Sequence, residues 1–314
     1  GSGLNVVVVA NQNSSNSLQL ANYYCERRAV PPQNVLRINW PGGNVDWTRS
    51  EYESLLLNPL LAMLSSRQLT NQIDFVLLSM DIPYRVNTAA DGANSTTSTL
   101  FYGFKPDGRD LNTCPMAPDS TNLYATSEGL FRATPPVSAN SNSWLVMMLT
   151  SSSLAQARAV VDRGVACDFT FPTQTVYLAK STDRFRNLRY YLFDDALINT
   201  RLRGQPPIAR TNTYTPSGLG TILGYQNGEM FFGLAAANFV PGALADSLTS
   251  YGGLLFGGGH TGIMEFLNAG ALPVHEEAER CRQTGGVLEL RDPAPAVRHR
   301  PADVHQQLTV NVGL

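Results

Sequence analysis

Apolar positions along the chain alternate between strand-like runs and helical spacing. Val6 to Val9 form an unbroken β-branched run, the pattern of a strand buried on both faces. A polar loop, Asn11 to Ser17, follows. Leu18, Ala21, Tyr24 and Cys25 then recur at helical spacing, with Ser17 as the expected N-cap. Pro31-Pro32 ends that helix, and Asn34 to Asn39 predicts a second strand, completing a βαβ unit. Thr48-Arg-Ser-Glu51 has the form of a capping box ahead of Tyr52, Leu55, Leu56, Leu60 and Met63. Pro59 should kink or divide that helix. Ile73 to Ser79 predicts the third buried strand, ending in Met80-Asp81-Ile82-Pro83.

Residues 87 to 143 are rich in Gly, Asn, Ser, Thr and Pro, which predicts a long excursion with short strands near Thr99 to Phe104 and Gly129 to Ala133. A loop of that length implies functional or disulfide-tied ordering. Trp144 to Leu149 predicts a strand, Ser153 to Arg163 a capped helix, Thr175 to Ala179 a strand, and Asp183 to Leu202 an amphipathic helix. Beyond a Gly/Pro/Thr loop, Met230 to Leu234 and Gly253 to Phe256 are expected strands flanking a helix near Pro241 to Ser250. Strands alternating with helices predict an α/β fold, a mainly parallel sheet with helices on both faces. The expected organisation is a first α/β subdomain over 1–150 carrying the 87–143 insertion, followed by a second part over 151–271. That second part either continues the same sheet or forms a paired subdomain. An atypical tail, 272–314, has little periodicity beyond Gly286 to Leu290 and Leu308 to Val312.

Composition narrows the class. Among 314 residues, 43% are hydrophobic and 15% charged, which fits a globular chain and argues against disorder. A net charge of -2 gives no electrostatic reason to expect a nucleic-acid partner. The longest apolar stretch, Met230 to Ala245, is broken by Asn238, Pro241, Gly233 and Gly242 and falls short of the ~20 residues a membrane span needs. Basic residues are scattered arginines, with Lys105 and Lys180 the only lysines. Cys25, Cys114, Cys167 and Cys281 form no C-x-x-C pair, and sequence cannot choose among the three ways of pairing them. Few lysines, many Ser, Thr and Asn residues, and an even cysteine count suit an exported protein. The chain opens Gly1-Ser2-Gly3 with no signal peptide, so the expectation is an export signal already removed.

In open parallel sheets, ligands bind beyond the carboxyl ends of strands. Three such ends are polar here: Asn11, Asn13 and Ser15 after the first strand, Ser79 and Asp81 after the third, and Lys180 and Ser181 after the Thr175 strand. They are candidate ligand-binding residues. The competing expectation is that the Asn and Ser side chains cap the next helix and Asp81 makes an Asx turn before Pro83. The glycine loop Gly257 to Gly262 has neither the Walker pattern nor a Rossmann fingerprint, so no cofactor is expected from it, and a nucleotide-binding module is a minor alternative. His260 within that loop is a candidate general base, as Asp81 is a candidate catalytic carboxylate. A His260–Cys281 thiol dyad is disfavoured because Cys281 sits in Glu-Arg-Cys-Arg, away from any strand end. Asp194-Asp195 reads as a solvated face. His275, His299 and His305 lack zinc-site spacing, so no metal is expected.

Val6–Ala10 with Asn11 and its Ser-rich loop, Ile73 to Pro83, Pro241 to Gly253, and Phe266-Leu-Asn-Ala-Gly-Ala271 together resemble an uncharacterised bacterial family of predicted exported proteins. The similarity spans about Leu4 to Ala271, and beyond Ala271 the chain leaves the family pattern. The strand ending in Asp81-Ile82-Pro83 and the block from Trp144 through the Ser153 helix also resemble gingipain-type cysteine peptidases. That resemblance implies a caspase-like three-layer architecture. Those peptidases carry a His-Gly at one strand end and a cysteine at the next. Here Phe231 to Asn238, where the nucleophile strand is expected, contains no cysteine, and no His-Gly precedes it. The resulting expectation is an exported protein on a caspase-like scaffold without the peptidase pair, in a binding or surface-assembly role with a protein or small-molecule partner. The alternative is a divergent hydrolase using Asp81, Ser79, Asn11 or His260.

Overall fold

The computed structural model describes residues 2–88, 92–104, 122, 143–184, 186, 187, 189, 190, 193, 194, 197, 206–249, 251–275, 309 and 310. In chain order the elements begin β1 (Val6–Asn11), α1 (Ser15–Arg28), β2 (Val35–Ile38), β3 (Asp46–Thr48) and α2 (Arg49–Tyr52). A π-turn over Glu53–Leu57 leads into α3 (Asn58–Ser66), then β4 (Phe75–Leu78), β5 (Arg85–Thr88), β6 (Gly92–Ser95), α4 (Thr96–Tyr102) and β7 (Leu145–Met148). The remaining elements are α5 (Leu154–Ala166), β8 (Thr175–Ala179), β9 (Ile208–Thr211), β10 (Ile222–Asn227), β11 (Phe239–Ser247), α6 (Ile263–Ala269), β12 (Leu272–His275) and β13 (Thr309–Val310).

Every residue of β1 is buried, because its valines serve two cores at once. It stands inside an all-parallel sheet of order β2-β1-β4-β7. Side chains alternate across a strand, so Val7 and Val9 meet Leu56, Leu60 and Leu64 of the π-turn and α3 on one face. Val6, Val8 and Ala10 meet Leu20, Ala21 and Tyr24 of α1 and Val160 and Val161 of α5 on the other. Burying each such side chain is worth roughly 1.5–3 kcal/mol relative to exposure. The fold is therefore α/β with helices on both faces of this sheet.

A second sheet has the order β13-β12-β11-β10-β8-β9 and is parallel except where β12 meets β13. A small third sheet, β3-β5-β6, is held together by the two-pronged ion pair of Arg85 on β5 with Asp46 on β3, at 2.6 and 2.7 Å. Helix α6 belongs to both large cores. Ile263, Met264 and Leu267 pack into the first core and Phe266 into the second, beside Ile222, Tyr225 and Ala245. Its first turn is fixed by Glu265, whose carboxylate accepts the Gly262 N–H at 2.9 Å. Among the described residues no helix is long and apolar enough to cross a membrane.

Several local expectations hold. Thr48 and Glu51 form the reciprocal capping box, and its hydrogen bonds hold the Glu51 carboxyl below the usual range. The helix does divide before Pro59, which sits in the first turn of α3. Ser153 caps α5.

Others are corrected. Ser14, not Ser17, caps α1: its oxygen accepts the Ser17 N–H, while the buried Ser17 hydroxyl accepts the Asn11 N–H at 2.9 Å. With several serines in a row, a tertiary bond rather than local propensity chose the cap. Thr99 to Phe104 is not a strand but runs from α4, capped by Ser95, into the following loop. Pro241 to Ser250 is not a helix: β11 covers most of it, burying Ala243, Ala245 and Ser247 and exposing Leu244, a period of two made of small residues. Gly242 adopts φ +81° in that strand, and a side chain there would meet Cys167 at 2.8 Å. Met230 to Leu234 and Gly253 to Phe256 are irregular, the strand before the first of them being β10. Arg184 and Arg186 lie in turns, with Phe193, Asp194 and Leu197 helical among the described residues of the expected 183–202 helix. The segments Gly129–Ala133 and Gly286–Leu290, together with Lys105, Cys114, Asp195, Cys281, His299 and His305, lie outside the described residues.

Candidate functional site

The carboxyl ends of β1 and β4 are neighbours in the first sheet, so Asn11 and Asp81 meet. Asn11 is buried and bonded through both its amide nitrogen and its oxygen. Its amide donates to the Asp81 carbonyl at 3.1 Å, and its oxygen accepts the Asn13 and Trp40 N–H groups at 3.1 and 3.2 Å. Asp81 takes φ +60°, a conformation that Asp tolerates better than most residues, and its carboxylate accepts the Ser14 hydroxyl at 2.6 Å. Ser79 is buried and donates its hydroxyl to the Ser17 carbonyl at 2.8 Å. Asn13 donates to Asn39 at 2.6 Å, and Ser15 is exposed on the first turn of α1. Lys180 belongs elsewhere. It follows β8 in the second sheet, and its ammonium lies 4.6 Å from the centre of the Tyr190 ring.

Chemically, the first cluster is a set of closed hydrogen bonds. The Ser14–Asp81 pair has no imidazole between its members, and a carboxylate is too weak a base to generate a serine alkoxide unaided. Asn11, Ser14, Ser17 and Ser79 already have hydrogen-bond partners within the protein, which serves the cap expectation better than a ligand role, whereas Ser15 is exposed.

A second cluster lies at the carboxyl ends of β8, β10 and β11 and was not anticipated beyond His260 and Ser181. The buried Ser181 hydroxyl donates to the Gly228 carbonyl, and the Asp183–Arg186 ion pair closes the same turn. Arg186 Nε donates to Thr249 Oγ1 at 3.3 Å, and Thr249 Oγ1 lies 2.6 Å from His260 Nδ1. The Tyr251 N–H also points at Nδ1, at 3.3 Å. A ring nitrogen facing a backbone donor is an acceptor, so Thr249 donates to it and the imidazole proton resides on Nε2. Phe231 and Tyr251 stand against the imidazole with ring centres 5.6 and 5.0 Å away. Thr261 locks the adjoining loop by exchanging 3.0 Å bonds with both backbone groups of Phe232.

Burial pushes the His260 pKa below its ordinary value, and the nearby Arg186 adds to that more than Asp183 offsets it. The folded pKa is depressed, so the neutral ring contributes stability above the unfolded pKa of about 6.5, lost as pH falls through the folded value. Nuclear magnetic resonance titration should find the His260 midpoint below that of a histidine in an unfolded peptide. A midpoint at or above the peptide value would contradict the Nδ1-acceptor geometry.

Thr249 and its neighbours escaped sequence reading because β11 resembled a helix, which hid the fact that Leu248 and Thr249 directly follow a strand. The first sheet and this loop are connected: Leu255 rests on both faces' cores, and the Phe256 ring packs on Tyr84, just before β5, at 6.3 Å. On the same side, Ser151 and Ser152 beyond β7 bond to Asn268 of α6.

The described cysteines are not nucleophile candidates. Cys25 lies on α1, where burial pushes its thiol up to about 11, and Cys167 caps α5 and donates to the Gly164 carbonyl at 3.1 Å. Among the described residues no group of three or more His, Cys, Asp or Glu side chains is placed to hold a metal ion. No protein-family model matches the chain, and neither a curated protein nor a solved structure matches it.

Proposed function

We propose that this chain is an exported binding protein on a caspase-like scaffold, without peptidase activity, whose ligand surface is the loop cluster around His260. The observation that carries this reading is the saturation of the strand-end polar groups. Ser14, Ser79 and Ser181 each donate their hydroxyl to a fixed internal acceptor. Thr249, whose hydroxyl lies against the His260 imidazole, is buried and has its oxygen held by Arg186. A nucleophile needs an exposed oxygen and a base free to take its proton. The neighbouring ends of β4 and β7 carry Ser79, Asp81, Thr150 and Ser151, and Phe231 to Asn238, where the peptidases this sequence resembles would carry the nucleophile, has no cysteine. By contrast, Phe231 and Tyr251 are exposed at the second cluster, as recognition surfaces require.

The test is activity-based labelling with a fluorophosphonate and a thiol-reactive epoxide, beside ester and casein hydrolysis assays. The expected outcome is no labelling and no turnover. Hydrolysis that disappears in Asp81→Ala or His260→Ala would replace this reading with the divergent hydrolase.

A further inference from the structure

We propose that the surface around His260 takes a neutral carbohydrate, an assignment that rests on the binding reading above. Three features converge on that class. His260 presents a single N–H donor of fixed identity, because Nδ1 is occupied by Tyr251 and Thr249. Two aromatic rings stand against the imidazole and remain solvent-exposed, Phe231 at 59% and Tyr251 at 39%. The surrounding backbone is bare: at Gly233, Gly257 and Gly259 an added side-chain carbon would meet nothing within 4 Å, so a ligand can approach the loop closely.

Charge selects against the other obvious ligands. Arg186 is paired with Asp183, and the carboxylate of Glu229, in the loop leading to Phe231, accepts the Met230 N–H at 2.9 Å. An anion would find no uncommitted cation among these residues, and a cation would face the positive edge of the imidazole N–H. A sugar ring is neutral, offers a C–H face to an aromatic ring and presents oxygens that accept from Nε2–H. Aromatic rings with a polar tip nearby are suited to such half-apolar, half-polar surfaces.

The experiment is a titration of the whole chain with maltohexaose, cellohexaose and chitohexaose, read by calorimetry and by the His260 and Tyr251 resonances. At least one oligosaccharide should bind saturably at millimolar concentration or below. Phe231→Ala and Tyr251→Ala should each weaken it about ten-fold. Phe169→Ala, which removes a ring 98% exposed on the turn after α5, should leave it unchanged. Loss of binding in Phe169→Ala to the same degree would reduce the effect to general stickiness and overturn the site. Anilinonaphthalene sulfonate separates the remaining outcomes. If no sugar binds but the dye does, in a manner lost in Phe231→Ala, the carbohydrate class falls and the binding surface stands. If neither binds, both fall.

Discussion

Asn11→Ala should lower the stability of the folded chain by about 2–3 kcal/mol, read as a reduced urea midpoint with an unchanged slope. The size follows from what the side chain does. Asn11 is 3% exposed and joins the ends of three segments: the turn into α1 through Asn13, the loop after β2 through Trp40, and the loop after β4 through Asp81. Removing the amide leaves the buried Trp40 N–H without its acceptor, and an unsatisfied buried donor carries the full desolvation penalty. Asn11→Asp should also destabilise, because it sets a carboxylate against the Asp81 carbonyl where the amide had donated. A change below about 0.5 kcal/mol, within the range of inert surface substitutions, would mean that Asn11 is free to serve a ligand instead.

The second large effect is expected from Gly228→Ala. A Cβ there would lie 1.9 Å from the Arg186 carbonyl oxygen and 2.5 Å from its carbon, both backbone atoms that cannot swing aside. The 181–187 turn must then withdraw from the tip of β10. Overpacking of this kind costs about 1–3 kcal/mol. The withdrawal would also pull Arg186 from Thr249 and slacken the Thr249–His260 bond, so the His260 midpoint should return toward the unfolded-peptide value. Gly233→Ala is the matched comparison, since its Cβ would meet nothing. Equal effects at the two positions would argue that the 181–187 turn does not hold the His260 loop in place.

Much of the first sheet was legible in sequence because its signals are strong and local. The valines of β1, the capping box at Thr48 and the proline at position 59 each name a structure with little help from elsewhere. The second sheet was obscured because its strands are made of residues that do not advertise a strand. In β11 the inward positions are Ala243, Ala245 and Ser247, small side chains compatible with helix or strand. In β10, Gly224 sits where a Cβ would press on Val176 at 2.9 Å, so the absence of a side chain is a packing requirement and weakens the hydrophobic pattern. The site divides the same way. Asn11, Ser79 and Asp81 could be placed at strand ends by counting, but that they bond to one another depends on β1 and β4 being neighbours. The partners of His260 come from residues 186, 231, 249 and 251, and only the fold brings those together.

Helix α6 is seven residues long, yet it is the seam between two hydrophobic cores. Regions of a protein that share no packed element open independently, each with its own free energy. Here the loop bearing His260 runs directly into α6, whose Leu267 and Phe266 point into different cores. Opening that seam would expose both interiors at once. The two sheets are therefore expected to melt in one transition, and a ligand that stiffens the His260 loop to raise the melting temperature of both together.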